Sequence, residues 1–354
     1  MTKYKGRLEM SEQRRPTMKD VARHANVSLS TVSYVLNDSG PVGHARRSRV
    51  LDAVRVLGYT PNESARRLRT KRAATVGLML PDLRNQFFAL IAEGVEAAAA
   101  NQETLVVLCA PEAVGKTPEH YVRLLRSQSL DGLVYLPSGD GMTLNTALAL
   151  AEAGPVVMVD ELIRGFDVPS VVADSRGGAR QIAEHVFSHG HRRVAIVEGP
   201  ESLWTSEQRL SGYREAMARF GIAPSEALYF TGDHQEESGI RAAAELLKLP
   251  ESERPTAFIC VNDLMALGIY RYCRDAGLRI PADISVVGFD DISAASLVAP
   301  ALSTVRQPAR EMGYMAAEQL FHIIDQSDGP EEQRMVTLPT EVVLRESVAP
   351  PPGG

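Results

Sequence analysis

The chain has 354 residues, of which 44% are hydrophobic and 23% are charged, and its formal net charge is −6. Length and composition indicate a globular protein of two or three domains. No stretch approaches the roughly 18 consecutive apolar residues of a membrane span, which excludes a membrane-spanning protein. The polar start of the chain also lacks the apolar core of a signal peptide, so we expect a cytoplasmic protein without a membrane partner.

The charge is distributed unevenly along the chain. Residues 1–72 contain 16 Lys and Arg against 6 Asp and Glu, a net charge of +10, whereas residues 73–354 contain 22 against 38, a net charge of −16. A short basic segment attracts a polyanion, and an acidic remainder repels it. The asymmetry favours a small nucleic-acid-binding module joined to a larger domain with another role, and the alternative is a solvated basic tail.

Two short helix patterns follow a basic extension at residues 1–15, which we predict to be disordered. From position 17 the sequence reads TMKDVARHANVSLSTVSYVLN. Thr17 can cap a first helix that carries Asp20 in its first turn, where a carboxylate is favourable. Asn26 fits a left-handed turn, and Ser28 can cap a second helix. The alanines of the first helix permit the close crossing of a helix-turn-helix.

The second predicted helix has two different faces. Its inward face carries Val32, Val35 and Leu36. Its outward positions carry polar and exposed apolar side chains, namely Leu29, Ser30, Ser33, Tyr34 and Asn37. In a helix-turn-helix the outward face enters the major groove, where apolar side chains contact thymine methyls and hydroxyls bond base edges or phosphates. A third apolar pattern completes a module over residues 16–60, with Val50, Leu51, Val54 and Leu57 on a helix that ends at Gly58.

A basic segment at residues 61–72 connects this module to the rest of the chain. Pro61 ends the preceding element, and Asn62 can cap one or two helical turns rich in Arg. Leu68 is an apolar residue flanked by cations, which is the combination that minor-groove binders insert between base steps. The alternative is a plain interdomain linker.

The motifs PTMKDVARHANVSLSTVSYVLN and PNESARRLR resemble those of the LacI/GalR family of bacterial transcription regulators, and the resemblance covers roughly residues 15–347. It implies an all-α helix-turn-helix DNA-binding domain joined by a hinge helix to a two-lobed periplasmic-binding-protein-like doubly wound α/β core. It further implies a ligand-responsive repressor that binds a pseudo-palindromic operator as a homodimer and is nucleoid-associated in the bacterial cytoplasm.

The resemblance also assigns DNA contacts to individual residues. It implies base contacts from Leu29, Ser30 and Tyr34. Contacts mostly to phosphate are implied for Thr17, Ser28, Ser33 and Asn37. In the hinge it implies contacts from Asn62, Ala65 and Leu68, with Leu68 opening the central step of the palindrome.

Beyond Arg72, short apolar runs alternate with helical stretches. The runs are TVGLML, TLVVLC, DGLVYL, PVVMVD, RRVAIVEG, ALYFTG, PTAFICV and ISVVGFD. Their alternation with helices predicts βαβ units and parallel sheets covered on both faces. About eight units exceed one comfortable doubly wound sheet, so we expect two lobes within a core of residues 73–347 that divide near residues 172–174.

The family resemblance implies that the chain crosses between the lobes three times, near Ala173, Thr304 and Asp328. These crossings predict an N-lobe of about residues 73–172 plus 304–328 and a C-lobe of about residues 173–303 plus 329–347. We expect residues 348–354 to form a disordered tail.

Polar and aromatic residues follow the predicted strands. Because ligands bind beyond the carboxyl ends of such strands, these residues are candidates for an effector site. The carboxylates, amides, guanidinium and aromatic rings are Asp160, Asp290, Asn262, Arg209, Phe87, Phe88 and Trp204. Carboxylates and Arg that bond hydroxyls, with rings against apolar faces, fit a sugar or sugar-like ligand. Each strand-end residue has the alternative role of a helix cap.

The resemblance extends the effector site and leaves a second ligand class open. It implies contacts from Asn85 and Thr205 as well, and from His234, where many relatives have an aromatic residue. Gln86 stands where sugar-binding relatives commonly have Pro. The alternative effector is therefore a nucleoside, a purine or a sugar phosphate that acts as a co-repressor.

Sequence patterns of common enzymes are absent. The chain has no GxxxxGK[ST] loop, no GxGxxG after a first strand, no GxSxG and no HExxH. His185, His189 and His191 end a helix, where cations complement the dipole, and this role is favoured over a metal site. We predict no catalytic site, metal or cofactor. The alternative of another class is a cytosolic solute-binding protein without a regulatory role.

Overall fold

A computed structural model describes residues 16–36, 40–59, 75–82, 84–109, 118–137, 143–325 and 334–352. The chain divides into two compact units, residues 1–71 and residues 72–354. The predicted N-terminal extension, Asn37 and the hinge residues Asn62, Ala65 and Leu68 lie outside the described residues. None of the described helices is long and apolar enough to cross a membrane.

The first unit contains the helices α1 (Met18–Ala25), α2 (Leu29–Leu36) and α3 (His44–Leu57). Local side-chain bonds set where the first two begin. The Asp20 carboxylate accepts hydrogen bonds from the backbone N–H of Thr17 at 2.9 Å and from its hydroxyl at 2.5 Å. The Ser28 hydroxyl accepts from the Thr31 N–H at 3.1 Å. Asn26 ends α1 in a left-handed conformation with φ of 50°.

The three helices enclose a small apolar core. Its buried members are Val21, Ala22, Ala25, Val32, Val35, Val50, Ala53 and Tyr59. Leu51, which belongs to the third predicted apolar pattern, lies outside this core, because its side chain is 43% exposed. Val50, Ala53, Val54 and Leu57 form the inward stripe at helical spacing, and Leu51 lies one step of about 100° off that stripe.

The second unit alternates strands and helices. The strands are β1 (Thr75–Met79), β2 (Leu105–Cys109), β3 (Gly132–Tyr135), β4 (Val156–Val159), β5 (Ser170–Ala173), β6 (Val194–Glu198), β7 (Leu228–Thr231), β8 (Ala257–Cys260), β9 (Ser285–Val287), β10 (Thr304–Arg306), β11 (Met335–Leu338) and β12 (Glu341–Val343). The helices are α4 (Gln86–Asn101), α5 (Pro118–Arg126), α6 (Leu144–Ala153), α7 (Ser175–Ser188), α8 (Trp204–Arg219), α9 (Glu236–Leu246), α10 (Asp263–Asp275), α11 (Ser293–Leu297) and α12 (Ala309–Ile324).

Two parallel sheets define two lobes. The N-lobe sheet has the strand order β11-β5-β4-β3-β1-β2, and the C-lobe sheet has the order β7-β6-β8-β9. All pairs in both sheets are parallel. Helices pack on the sheets and bury apolar cores, which explains the nearly continuous apolar strand sequences. The predicted doubly wound α/β architecture is confirmed.

The last crossing between the lobes differs from the prediction. Residues 335–338 form β11, which pairs in parallel with β5 through Met335 opposite Ser170. These residues therefore belong to the N-lobe sheet, and the chain leaves that lobe after Leu338 rather than near Asp328. Pro339 and Thr340 separate β11 from β12, which pairs antiparallel with β10 beside the second crossing.

The predicted disordered tail is wrong for residues 348–352. Val348 packs against the C-lobe core. The Ala349 N–H donates to Ser285 Oγ at 3.1 Å, and the Ala349 carbonyl accepts from Nε2 of the fully buried His191 at 2.8 Å. The side chains of Ser285 and His191 therefore hold the backbone of Ala349 against the C-lobe.

Candidate functional site

A cavity of about 560 Å³ lies between the lobes, beyond the carboxyl ends of their strands. Its lining combines carboxylates, amides, a guanidinium and aromatic rings. Nine of the ten residues predicted for an effector site line it: Asn85, Phe87, Phe88, Asp160, Thr205, Arg209, His234, Asn262 and Asp290. Its volume falls in the range of about 300–1,000 Å³ that small-molecule pockets occupy.

Trp204 is the predicted effector residue that the structure does not bring to this cavity. Its side chain lines a second cavity instead. Trp204 and Thr205 are the first residues of α8, and consecutive helical residues point about 100° apart. Thr205 therefore faces the first cavity, while the indole of Trp204 turns away from it.

Two of the lining amides also act as helix caps. Asn85 Oδ1 accepts from the Phe87 N–H at 3.0 Å at the start of α4, and Asn262 Oδ1 accepts from the Met265 N–H at 3.0 Å at the start of α10. Asn262 Nδ2 also donates to the His234 carbonyl at 2.9 Å. These bonds hold the Asn262 side chain and the strand-end loop of His234 together at the cavity wall.

Three lining residues have left-handed backbone conformations. The φ angles are 67° for Asp160, 65° for His234 and 114° for Asp290. Such conformations are unfavourable for residues other than glycine and concentrate at functional sites. Here they turn the chain sharply after β4, β7 and β9, so the side chains project at the cavity.

Arg209 is the central cation of the cavity. It is buried, and its Nη1 donates to the Val261 carbonyl at 2.5 Å and lies 3.7 Å from Asp290 Oδ1. Its guanidinium also lies over the Phe289 ring, 4.0 Å from the centroid. Among the described residues, Arg209 Nε has no hydrogen-bond partner. The fork is thus held in place by protein contacts, and its buried Nε remains unpaired within the described residues.

The two strand-end carboxylates differ in how they are satisfied. Asp290 Oδ1 accepts from Gln307 Nε2 at 2.8 Å. Asp160 Oδ1 is buried and has no hydrogen-bond partner within the described part of the chain. Because unsatisfied buried polar atoms are costly, Asp160 Oδ1 is an acceptor ready for a ligand donor.

Burial changes the protonation of these groups. It raises the pKa of Asp160 to about 6, although Arg209 opposes the shift. Burial also raises the pKa of Asp290 to about 7, again opposed by Arg209 and reinforced by Asp160. Burial and Arg209 lower the pKa of His234 to about 4, so its ring is neutral.

Glu161 is a cavity residue that the sequence reasoning missed. It is 4% exposed, and its carboxylate accepts from the Thr205 N–H at 2.9 Å and from the Thr205 hydroxyl at 2.6 Å. Burial and then Asp160 raise the pKa of Glu161 to about 7. Its position directly after Asp160 was the available signal, and the bond it makes to the C-lobe could not be read from that position.

We expect the denaturation midpoint of the variant Asp290→Asn, relative to that of the wild type, to be higher at pH 8 than at pH 5. Burial raises the pKa of Asp290 from 3.8 to about 7, so stability from this group is present at low pH and is lost as pH rises through about 7. Thermal denaturation at both pH values measures the difference, and each 1 kcal/mol moves the midpoint by about 2–4 °C. A pH-independent difference would contradict the assignment. The buried histidines are the same in the variant and in the wild type, so their opposite contribution to the pH dependence of stability cancels in the difference.

In the first unit, the outward face of α2 carries exposed side chains. Leu29 is 44% exposed and Tyr34 is 48% exposed, while Ser28 and Ser30 are exposed beside them. The Tyr34 ring lies against Gly40, where an added Cβ would approach Cγ of the ring to 3.0 Å. Glycine at position 40 therefore leaves room for the Tyr34 ring.

Two predicted phosphate-contacting hydroxyls are already engaged. The Thr17 hydroxyl donates to Asp20, and the Ser28 hydroxyl lies 2.8 Å from both Ser30 Oγ and Thr31 Oγ1. Ser33 is half-buried on the same helix. The apolar and aromatic side chains of Leu29 and Tyr34 are thus the most prominent features of this face.

Comparison with known proteins connects both units to one group of regulators. Residues 17–62 match the family described as bacterial regulatory proteins, lacI family, and residues 183–348 match the periplasmic binding protein-like domain. The HTH-type transcriptional repressor PurR of Aliivibrio fischeri is 34% identical over 335 residues, which cover 94% of this chain and 98% of that protein.

Solved structures agree over the same length. The lac repressor dimer bound to operator and the anti-inducer ONPF has a TM-score of 0.81 and 29% identity, and covers 95% of this chain and 100% of that one. The transcriptional regulator CelR in complex with cellobiose has a TM-score of 0.68 and 32% identity, and covers 94% of this chain and 100% of that one.

Proposed function

The chain belongs to the LacI family of bacterial transcription regulators, and on that premise we propose that it is a dimeric repressor controlled by a neutral, hydroxyl-rich effector, a sugar. The effector binds in the 560 Å³ cavity between the lobes. The protein is a DNA-binding regulator and not an enzyme, in keeping with its repressor relatives.

Operator recognition is assigned to the outward face of α2. Leu29 and Tyr34 offer an apolar surface and a hydroxyl suited to thymine methyls and base edges. The net charge of +10 over residues 1–72 supplies attraction to phosphate that is independent of sequence. One short helix makes few base contacts, and a two-fold dimer on a pseudo-palindrome doubles them.

The charge of the cavity supports a neutral effector. Its lining carries five carboxylates against two guanidiniums: Asp82, Asp160, Glu161, Asp233, Asp290, Arg84 and Arg209. Arg84 is also paired with Asp82 at 2.9 Å, which leaves Arg209 as the central cation. Although the raised pKa values of Asp160, Glu161 and Asp290 leave part of these groups protonated near pH 7, the carboxyls outnumber the cations that a phosphate needs, and they exchange hydrogen bonds with hydroxyls in either protonation state. A sugar is therefore favoured over a sugar phosphate.

Aromatic faces complete the site. Phe87 and Phe88 line the cavity with ring centroids 5.5 Å apart in an edge-to-face arrangement. Such rings pack against the apolar face of a pyranose, and they pack equally against a planar base. A purine or nucleoside is for this reason the second candidate effector, bonded through its edges by Asp160 and Arg209.

Bonds between the lobes link the effector cavity to the arrangement of the two lobes. Glu161 of the N-lobe bonds Thr205 of the C-lobe. Gln86 of the N-lobe accepts from the Ser293 N–H at 2.6 Å and donates to its hydroxyl at 2.7 Å. An effector that binds one arrangement of the lobes more tightly than another shifts their equilibrium, and it changes DNA affinity only by that difference.

A thermal-shift screen of sugars, sugar phosphates, nucleosides and purine bases tests the effector class. A ligand at about 100 times its dissociation constant adds roughly 2.7 kcal/mol of stability. We expect a neutral sugar to raise the midpoint. If phosphorylated sugars stabilise the protein and neutral sugars do not, the charge argument is wrong.

Removing residues 1–72 separates regulation from simple solute binding. The truncated chain is expected to keep the effector-induced rise in its denaturation midpoint and to lose binding to any DNA selected by the full chain. A full chain that selects no DNA sequence above random would favour the solute-binding alternative.

A further inference from the structure

A second cavity, of about 710 Å³, lies between the lobes next to the first. The two cavities share three lining residues, Pro137, Glu161 and Leu203. Glu161 comes from the N-lobe, and Leu203 precedes α8 in the C-lobe. The two cavities therefore adjoin along these residues, and the bonds from Glu161 to Thr205 lie at their junction.

The lining of the second cavity has the chemistry of a carbohydrate site. Trp204 supplies a flat ring, Arg164 and Arg214 supply planar donors, and Glu198 and Glu207 supply acceptors. Aromatic rings pack against the apolar faces of sugars, and carboxylates and guanidiniums bond their hydroxyls. The lining thus combines an aromatic ring with hydrogen-bond donors and acceptors.

A buried hydroxyl in this cavity lacks a partner. Ser206 is 4% exposed, lines the second cavity, and its Oγ has no hydrogen-bond partner among the residues that the structure describes. Leaving a buried hydroxyl unsatisfied is unfavourable, so the position suits a ligand that supplies a partner. Ser206 follows Thr205 directly, so adjacent residues of α8 serve the two cavities.

Both lobes contribute to the second cavity, as they do to the first. Arg164 of the N-lobe donates to Glu207 of the C-lobe at 2.6 Å, and both side chains are largely exposed. This ion pair links the lobes at the edge of the second cavity. A ligand in the second cavity therefore contacts both lobes, as a ligand in the first cavity does.

We propose that the second cavity is a subsite for the second ring of a disaccharide, whose first ring occupies the first cavity. The inference rests on the proposed sugar effector and specifies its class. The glycosidic linkage passes beside Glu161 and Leu203, the second ring packs on Trp204, and a ring hydroxyl bonds Ser206. Joining two rings in one ligand makes occupation of the second cavity an intramolecular event, which raises affinity.

Calorimetric titration of the full chain tests the proposal with glucose, galactose, cellobiose, maltose, lactose and melibiose. We expect at least one disaccharide to bind about 10-fold or more tightly than either of its component monosaccharides. Equal affinity of every disaccharide and its components would overturn the subsite and leave the sugar-type effector in place. Binding of purines with no binding of any sugar would overturn both.

Trp204 is the only tryptophan in the chain, so tryptophan emission reports this cavity alone. The emission is expected to change at saturation with the favoured disaccharide and to stay constant at saturation with its monosaccharides. Constant emission with the disaccharide would place its second ring elsewhere.

The variants Trp204→Ala and Trp204→Phe distinguish the loss of the aromatic ring from a loss of folding. Trp204→Ala is expected to lower the affinity for the disaccharide by about 10-fold, which is the size of an aromatic packing contact together with its buried area. The affinity for the monosaccharide is expected to stay unchanged. Trp204→Phe keeps a ring and is expected to retain most of the disaccharide affinity even if the alanine variant folds poorly. Equal losses for both sugars in the phenylalanine variant would contradict a role limited to the second ring.

Discussion

Replacing Arg209 by alanine is expected to abolish the response to effector while leaving operator binding intact. The guanidinium is buried, donates to the Val261 carbonyl, and lies 3.7 Å from Asp290 Oδ1. A hydrogen bond from a charged donor to a ligand is worth about 1.5–3 kcal/mol. Effector affinity should therefore fall by roughly 10- to 150-fold.

Calorimetry with the effector from the thermal-shift screen and fluorescence anisotropy with operator DNA measure the two activities separately. Arg274→Ala is the matched control, because that side chain is exposed on α10 and pairs only locally with Asp275. A normal effector response in Arg209→Ala would remove this residue from the site.

The same variant should also be less stable at neutral pH than at pH 5. Without Arg209, Asp290 loses the cation that opposes the rise of its pKa, and Asp160 loses it as well. Their pKa values should rise further, so folding at neutral pH requires these carboxyls to take up protons that the unfolded chain has released, which lowers stability more than at pH 5. Denaturation midpoints of Arg209→Ala and wild type at the two pH values measure this effect.

The double variant Leu29→Ala, Tyr34→Ala is expected to lose specific operator binding. These two side chains are the large exposed apolar groups on the outward face of α2. Each specific base contact is worth about 1–3 kcal/mol, and a dimer loses the contacts in both half-sites. We expect affinity for the operator to fall by a factor on the order of 100 or more, toward the level of random DNA.

The operator for this measurement comes from in vitro selection with the wild-type chain, and fluorescence anisotropy at one fixed salt concentration gives the affinities. Leu297→Ala is the control, because Leu297 is 81% exposed and lies in the second unit. The salt dependence of binding should change little in the double variant, because phosphate contacts remain. Undiminished affinity for the selected operator would show that another face reads the DNA.

Much of the DNA-binding unit could be predicted from sequence because its determinants are local. Thr17 with Asp20 and Ser28 with Thr31 are bonds within three residues, and Asn26 sets a single turn. The apolar pattern of α3 included Leu51 because an apolar residue next to a core stripe cannot be distinguished from its members in the sequence. The helix itself ends at Gly58, as predicted.

Most of the residues that line the cavity could also be predicted, because a general rule of sheet topology brings residues together that are far apart in sequence. Parallel strands end at the same edge of their sheet, so residues that follow them converge whatever their separation in sequence. This rule predicts that Asp160, Arg209 and Asp290 lie together although they are far apart along the chain. It says nothing about the direction of a side chain beyond the strand end.

The directions of side chains and the pairing between distant segments were decided by tertiary structure. Trp204 and Thr205 are adjacent in sequence and line different cavities, and Glu161 reaches across the lobes to Thr205. β11 joins the N-lobe by pairing with β5, more than 160 residues earlier. Sequence by itself determined the family, the α/β class and the residues at the strand ends, because these depend on local patterns and on a general rule of sheets. The subdivision of the cleft, the last crossing and the packed tail depend on contacts between distant segments, which local patterns do not encode.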